Sequence, residues 1–146
     1  MLKTFHGRPI APGSVTAEAV VTKNGFNTLA SMQMMFIQPK TKCVDQSNPD
    51  LFNKILGGKA LCLPQTIGST TGGMFLFSAV EIGKAPACLL FSKEIDSLAA
   101  AGAVLSDVWS AHKMPVVDKL GDEFLDFVQD GDRISVKEDG TVLVLR

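Results

Sequence analysis

Charge is scarce in this chain. Charged residues make up 20% of its 146 positions, and 14 Lys and Arg against 15 Asp and Glu leave a net charge of −1. A protein that coats nucleic acid wants a basic stripe, and this balance argues against one. No apolar run approaches the roughly 18 residues of a membrane span. The start, Met1-Leu2-Lys3-Thr4-Phe5-His6-Gly7, meets charge and glycine before a signal-peptide core could form. The expectation is a soluble, cytoplasmic domain with no nucleic acid or membrane among its partners. Cysteine is also sparse. Cys43, Cys62 and Cys88 form no CxxC and no Cys-His pair at ligand spacing. An odd number in this pattern speaks against a disulfide framework and fits a reducing compartment. Cys62 and Cys88 sit in apolar stretches and read as small buried strand residues. His6 and His112 belong to no metal or triad motif, so no metal site is expected on this chain. Internal repeats and low-complexity segments are absent.

Apolar residues supply 46% of the chain, enough for a core. At this length a domain buries about two-thirds of its unfolded surface, and residues 1–146 read as one domain. Residues 2–22 read as β, with turn signals at Gly7-Arg8-Pro9 and Ala11-Pro12-Gly13. Val15, Ala17, Ala19 and Val21 then alternate as a half-buried strand. Phe26, Leu29, Met32, Met35 and Phe36 fit a helical stripe that polar residues dilute. Met34, Met35, Phe36 and Ile37 are open to two uses, core packing or contact with another chain. Residues 59–63, 87–91 and 114–117 read as three apolar strands. Residues 74–80 predict a helix ending at Gly83, and an alanine-rich helix begins between Ser92 and Asp96. A short helix covers 122–128, with acids at its start as the helix dipole favours. Residues 134–137 and 142–145 flank Glu138-Asp139-Gly140-Thr141, the strongest hairpin signal. The whole is a three-layer β/β/α domain of the α/β class: a central β-loop-α-β-α-β unit with β-rich termini, whose terminal strands form a second sheet.

One loop concentrates chemistry. Leu63-Pro64-Gln65-Thr66-Ile67-Gly68-Ser69-Thr70-Thr71-Gly72-Gly73 follows a buried strand and opens a helix. Ligands of open α/β sheets sit at such strand ends. A helix N-terminus there suits a phosphate or carboxylate. Gly68, Gly72 and Gly73 permit close backbone approach, and Ser69, Thr70 and Thr71 add hydroxyls. The loop is neither a Walker A motif, since no Lys follows the glycines, nor GxGxxG. A helix cap on a tight turn explains it as readily as a ligand site, though three hydroxyls and three glycines exceed what one cap needs.

Gly68-Ser69-Thr70-Thr71-Gly72, preceded by Lys59-Ala60-Leu61-Cys62-Leu63-Pro64, resembles the small-subunit, or swivel-domain, signature of the aconitase X family. Gly7-Arg8-Pro9 with Glu18-Ala19, Val44-Asp45 with Asn48-Pro49, Gly83-Lys84-Ala85-Pro86-Ala87 and Met114-Pro115-Val116-Val117 extend the likeness along most of the chain. The chain departs from the family in two places. Asn48 stands where a histidine is common, and residues 31–38 lack a Trp-Gly-Gly stretch. The resemblance implies a swivelling β/β/α domain that serves a hydro-lyase acting on a hydroxylated carboxylate. It implies a large partner subunit that holds an iron–sulfur cluster. By position it makes Ser69 the catalytic base, with Gly68, Thr70, Thr71 and Gly72 around the substrate. A separate chain of this length looks like the small subunit.

Two substrates are prominent in the family, cis-3-hydroxy-L-proline and phosphomevalonate. Low charge with many Gln, Asn, Met and Cys does not look hyperthermophilic, which tilts the expectation to hydroxyproline or a related hydroxy acid. A phosphotransfer swivel domain shares the layout but needs a histidine in the glycine-rich loop, and this loop has none. A non-catalytic ligand-binding or regulatory swivel domain is the remaining alternative.

Overall fold

The structure, a computed structural model, describes residues 1–68 and 71–146. Its strands are β1 (Leu2–His6), β2 (Arg8–Ala11), β3 (Val15–Val21), β4 (Phe26–Asn27), β5 (Ala60–Leu63), β6 (Thr66–Ile67), β7 (Cys88–Phe91), β8 (Val116–Asp118), β9 (Arg133–Val136) and β10 (Thr141–Leu145). Its helices are α1 (Thr28–Met32), α2 (Gly72–Glu81), α3 (Ser97–Trp109) and α4 (Asp122–Phe127). Hydrogen-bonded strands run in the order β1-β10-β9-β3-β5-β7-β8-β2. The inner set β3-β5-β7-β8 is parallel. Strands β1, β10 and β9 join it antiparallel through β3, and β2 closes the other edge antiparallel to β8.

Side-chain alternation makes the layers. Leu61, Leu63, Leu89, Phe91 and Val116 point into a core shared with Met32 of α1, Leu76 and Val80 of α2, and Ala99 and Ala103 of α3. Their strand neighbours Ala60, Cys62, Cys88, Leu90 and Val117 point into a second core with Phe5, Ile134, Val136, Val142, Val144 and Phe124. The parallel strands are therefore buried on both faces, by helices on one side and by the antiparallel strands on the other. Continuous apolar runs follow from that double burial. This is the expected β/β/α layering, with one change. The terminal strands do not stand apart as a separate sheet, because β3 pairs β9 over Val15 to Glu18 and then β5 over Ala19 to Val21.

Other local expectations shift. Arg8-Pro9 is strand rather than turn, since Pro9 lies on edge strand β2, where a missing N–H is tolerated. The stripe from Phe26 breaks after one short helix. Met32 and Met35 are fully buried, while Met34, Phe36 and Ile37 are exposed on successive turns. Helix α3 starts at Ser97 and runs to Trp109, because the Asp96 carboxylate accepts the N–H groups of Leu98 and Ala99 and fixes the first turn there. The loop after β5 holds β6, a two-residue strand pairing β4, which its polar composition did not signal. Among the described residues no helix is long and apolar enough to cross a membrane.

Candidate functional site

The chain leaves β5 at Leu63, turns at Pro64 and runs along β4 as β6, with Phe26 opposite Thr66 and Asn27 opposite Ile67. Asn27 caps α1 by accepting the Ala30 N–H at 3.0 Å. Gly68 then takes φ +107°, and a Cβ placed on it would lie 2.7 Å from the Asn27 amide nitrogen. Both the backbone region and the close approach require glycine here. Helix α2 opens at Gly72 with Thr71 as its N-cap residue and no side-chain cap bond. Its second residue, Gly73, packs on α3 so closely that a Cβ would meet the Leu98 carbonyl at 2.3 Å, and one on Gly102 would meet the Gly73 carbonyl at 2.3 Å. This glycine contact brings the first turns of α2 and α3 together.

Between them lies a cavity of about 220 Å³ lined by Thr28, Thr66, Ile67, Gly68, Gly72, Gly73, Asp96, Leu98 and Ala99. Of the residues singled out in the sequence, Gly68, Gly72 and Gly73 line it, with Thr66 and Ile67 of the same loop. Thr71 is exposed at the start of α2 and is not part of the lining. Ser69 and Thr70 lie outside the described residues. Asn48 is buried in the segment between α1 and β5. Its side-chain oxygen accepts the Thr22 hydroxyl and the Leu51 N–H, and its amide nitrogen has no partner among the described residues. Thr28, Asp96, Leu98 and Ala99 were not foreseen at the site. Asp96 before an alanine-rich helix was a readable cap signal, whereas nothing local told that it would face the loop.

Asp96 is the one ionisable residue among the described lining residues. Besides capping α3 it accepts the Thr66 hydroxyl, so it ties the leading edge of the loop to α3. The entry into α3 is fixed in turn by Asp118 at the end of β8. That fully buried carboxylate accepts the Ile95 N–H at 2.9 Å and two bonds from Arg8, at 3.0 and 2.7 Å. The hydrogen bond to Asp118 raises the Arg8 pKa, and the planar fork of arginine suits that bidentate pairing.

Among the described residues no three His, Cys, Asp or Glu side chains come together as a metal site. Cys43, Cys62 and Cys88 are free and buried. Burial pushes the Cys62 thiol well up and the Cys88 thiol up to about 12. Cluster ligands are thiolates, so these two do not fit an iron–sulfur cluster.

The aconitase X swivel domain pattern matches residues 4–144. The chain belongs to the aconitase X swivel-domain family. The phosphomevalonate dehydratase small subunit of Methanosarcina mazei is 29% identical over 132 residues, 90% of this chain and 83% of that one. The cis-3-hydroxy-L-proline dehydratase of Pseudomonas aeruginosa is 27% identical over 118 residues, 80% of this chain but 19% of that longer protein. The crystal structure of Thermococcus kodakaraensis aconitase X in its holo-form superposes with a TM-score of 0.81 at 25% identity, over 99% of both chains. These relatives agree with the expectation of a dehydratase subunit, and the swivel-domain fold is the β/β/α layering described above.

Proposed function

We propose that this chain is the small subunit of an aconitase-X-type hydro-lyase that removes water from a hydroxylated carboxylate, with residues 1–146 acting as one cytoplasmic swivel domain. Ser69 is the base, and Gly68, Thr70, Thr71 and Gly72 hold the substrate. A large subunit brings the iron–sulfur cluster, a Lewis acid for the departing hydroxyl. The observation that supports the reading most is that Gly68 and Gly72, on either side of Ser69, line one cavity beyond the end of β5. A serine hydroxyl has a high pKa and needs dipoles nearby to serve as base. The opening turn of α2, without a side-chain cap, supplies part of that field.

For the substrate, cis-3-hydroxy-L-proline or a related hydroxy acid is favoured, on the low charge content of the chain. Phosphomevalonate is the second reading, favoured by the 29% identity to the Methanosarcina mazei subunit. The test is Ser69→Ala in the complex with its large subunit, assayed on both substrates. Loss of a general base costs about 10²–10⁴-fold, so kcat should fall at least about a hundredfold with the melting temperature kept. Thr70→Val and Thr71→Val should act mainly on KM. If Ser69 takes no part in proton abstraction, turnover persists. A complex inactive on every hydroxy acid would favour a regulatory swivel domain.

A further inference from the structure

The cavity has an electrical asymmetry that the reaction alone does not demand. On one wall is the first turn of α2. On the other is the Asp96 carboxylate, a full negative charge set against about half a positive charge from the N-terminus of α3 that it caps. That wall stays net negative. Among the described residues three bonds reach the carboxylate: the Leu98 and Ala99 N–H groups on Oδ2, at 3.1 and 3.0 Å, and the Thr66 hydroxyl on Oδ1. A carboxylate accepts about four, one more than the described residues supply. Capping alone does not require an acid, because asparagine caps about as well as aspartate.

We propose that Asp96 selects the substrate by charge: its carboxylate takes the ammonium of a zwitterionic hydroxy amino acid and disfavours a substrate that places a second anion there. The proposal rests on the reading of this cavity as the substrate site. It makes Asp96 a specificity-determining residue.

The probes are L-proline and cyclopentanecarboxylate, which share a five-membered ring and a carboxylate and differ in the amine. Binding of each is measured by calorimetry on the assembled two-subunit complex, wild type and Asp96→Asn. An ion pair near a surface contributes up to about 1 kcal/mol, about fivefold in affinity. Wild type should bind L-proline more tightly than cyclopentanecarboxylate by up to about fivefold, by the same conversion. Asp96→Asn should erase that preference while keeping the melting temperature, since the cap survives. An unchanged preference in Asp96→Asn, or none in wild type, overturns the role of Asp96 and leaves the site standing. Faster turnover of phosphomevalonate than of cis-3-hydroxy-L-proline overturns it as well. Binding of neither probe removes the substrate site itself, and the proposal with it.

Discussion

Asp50 shows how much one side chain can organise. It accepts the Lys23 N–H at 2.8 Å, the Thr22 hydroxyl at 3.0 Å and the Asn24 amide at 3.0 Å. Those residues are the turn that carries the chain from β3 to β4 and so to Asn27 and Gly68. The backbone bond from Lys23 is the largest influence holding the Asp50 carboxyl below its ordinary range. The Thr22 and Asn24 bonds and the Lys54 charge add to it, against a partial loss of hydration. A carboxyl with a depressed pKa in the fold stabilises it above the unfolded pKa, and that contribution fades as pH falls through the folded value. Asp50→Ala should therefore cost about 2 kcal/mol at pH 7. The gap to wild type should close below about pH 4. Urea unfolding at pH 7 and pH 3 measures it, and an equal gap at both would show that the ionised carboxylate is not the stabilising species. The partners of Asp50 lie far back in the chain, and a local pattern does not contain them.

At the scale of elements the decisive contact is between α2 and α3. Gly73 was read as a loop residue permitting close backbone approach. Its fold role is a crossing point, where a Cβ on it or on Gly102 would sit 2.3 Å from a carbonyl of the other helix. Helices forced apart by a methyl lose packing, typically about 1–3 kcal/mol. Gly102→Ala should lower the melting temperature by about 4–8 °C for a loss of about 2 kcal/mol at this chain length. Gly72→Ala is the internal contrast, since its Cβ would meet nothing closer than Thr28 Cβ at 4.0 Å. It should be neutral or slightly stabilising, as alanine favours a helix over glycine by up to about 1 kcal/mol. Equal effects of the two substitutions in a thermal melt would rule out the glycine crossing as the cause. The hairpin at the C-terminus and the three parallel strands were legible from composition and turns. The short pair β4 and β6 was not, because two residues are too few for any period.

On the whole-molecule scale the question is what covers the exposed apolar residues. Met35 went into the core, whereas Met34 is 41%, Phe36 62% and Ile37 75% exposed. Met35 thus takes the core use, one residue from side chains that the fold leaves exposed. On the reading as a small subunit, Phe36 and Ile37 meet the large subunit. The double change Phe36→Ser with Ile37→Ser should weaken the complex at least about tenfold, as anchors at interfaces do, and leave the melting temperature of the isolated chain nearly unchanged. Titration of the large subunit with each form measures this, and equal affinities would move the interface elsewhere. Anaerobic preparations give a second readout: iron and labile sulfide should accompany the complex and not the isolated chain.

The sequence by itself determined the layers. Runs apolar on both faces imply strands covered twice, and the turn residues set where each strand ends; both signals are local. The loop around Ser69 was legible for the same reason, as glycine and hydroxyl residues between a strand and a helix. Tertiary structure alone decided that β3 joins the two halves into one sheet. It alone decided that Gly73 meets Gly102, and that Asp96, one helix later, lines the same cavity as Gly68. These are contacts between residues far apart in the chain. Packing the parallel strands side by side creates them, because it sets the opening turns of α2 and α3 next to each other at one edge of the sheet.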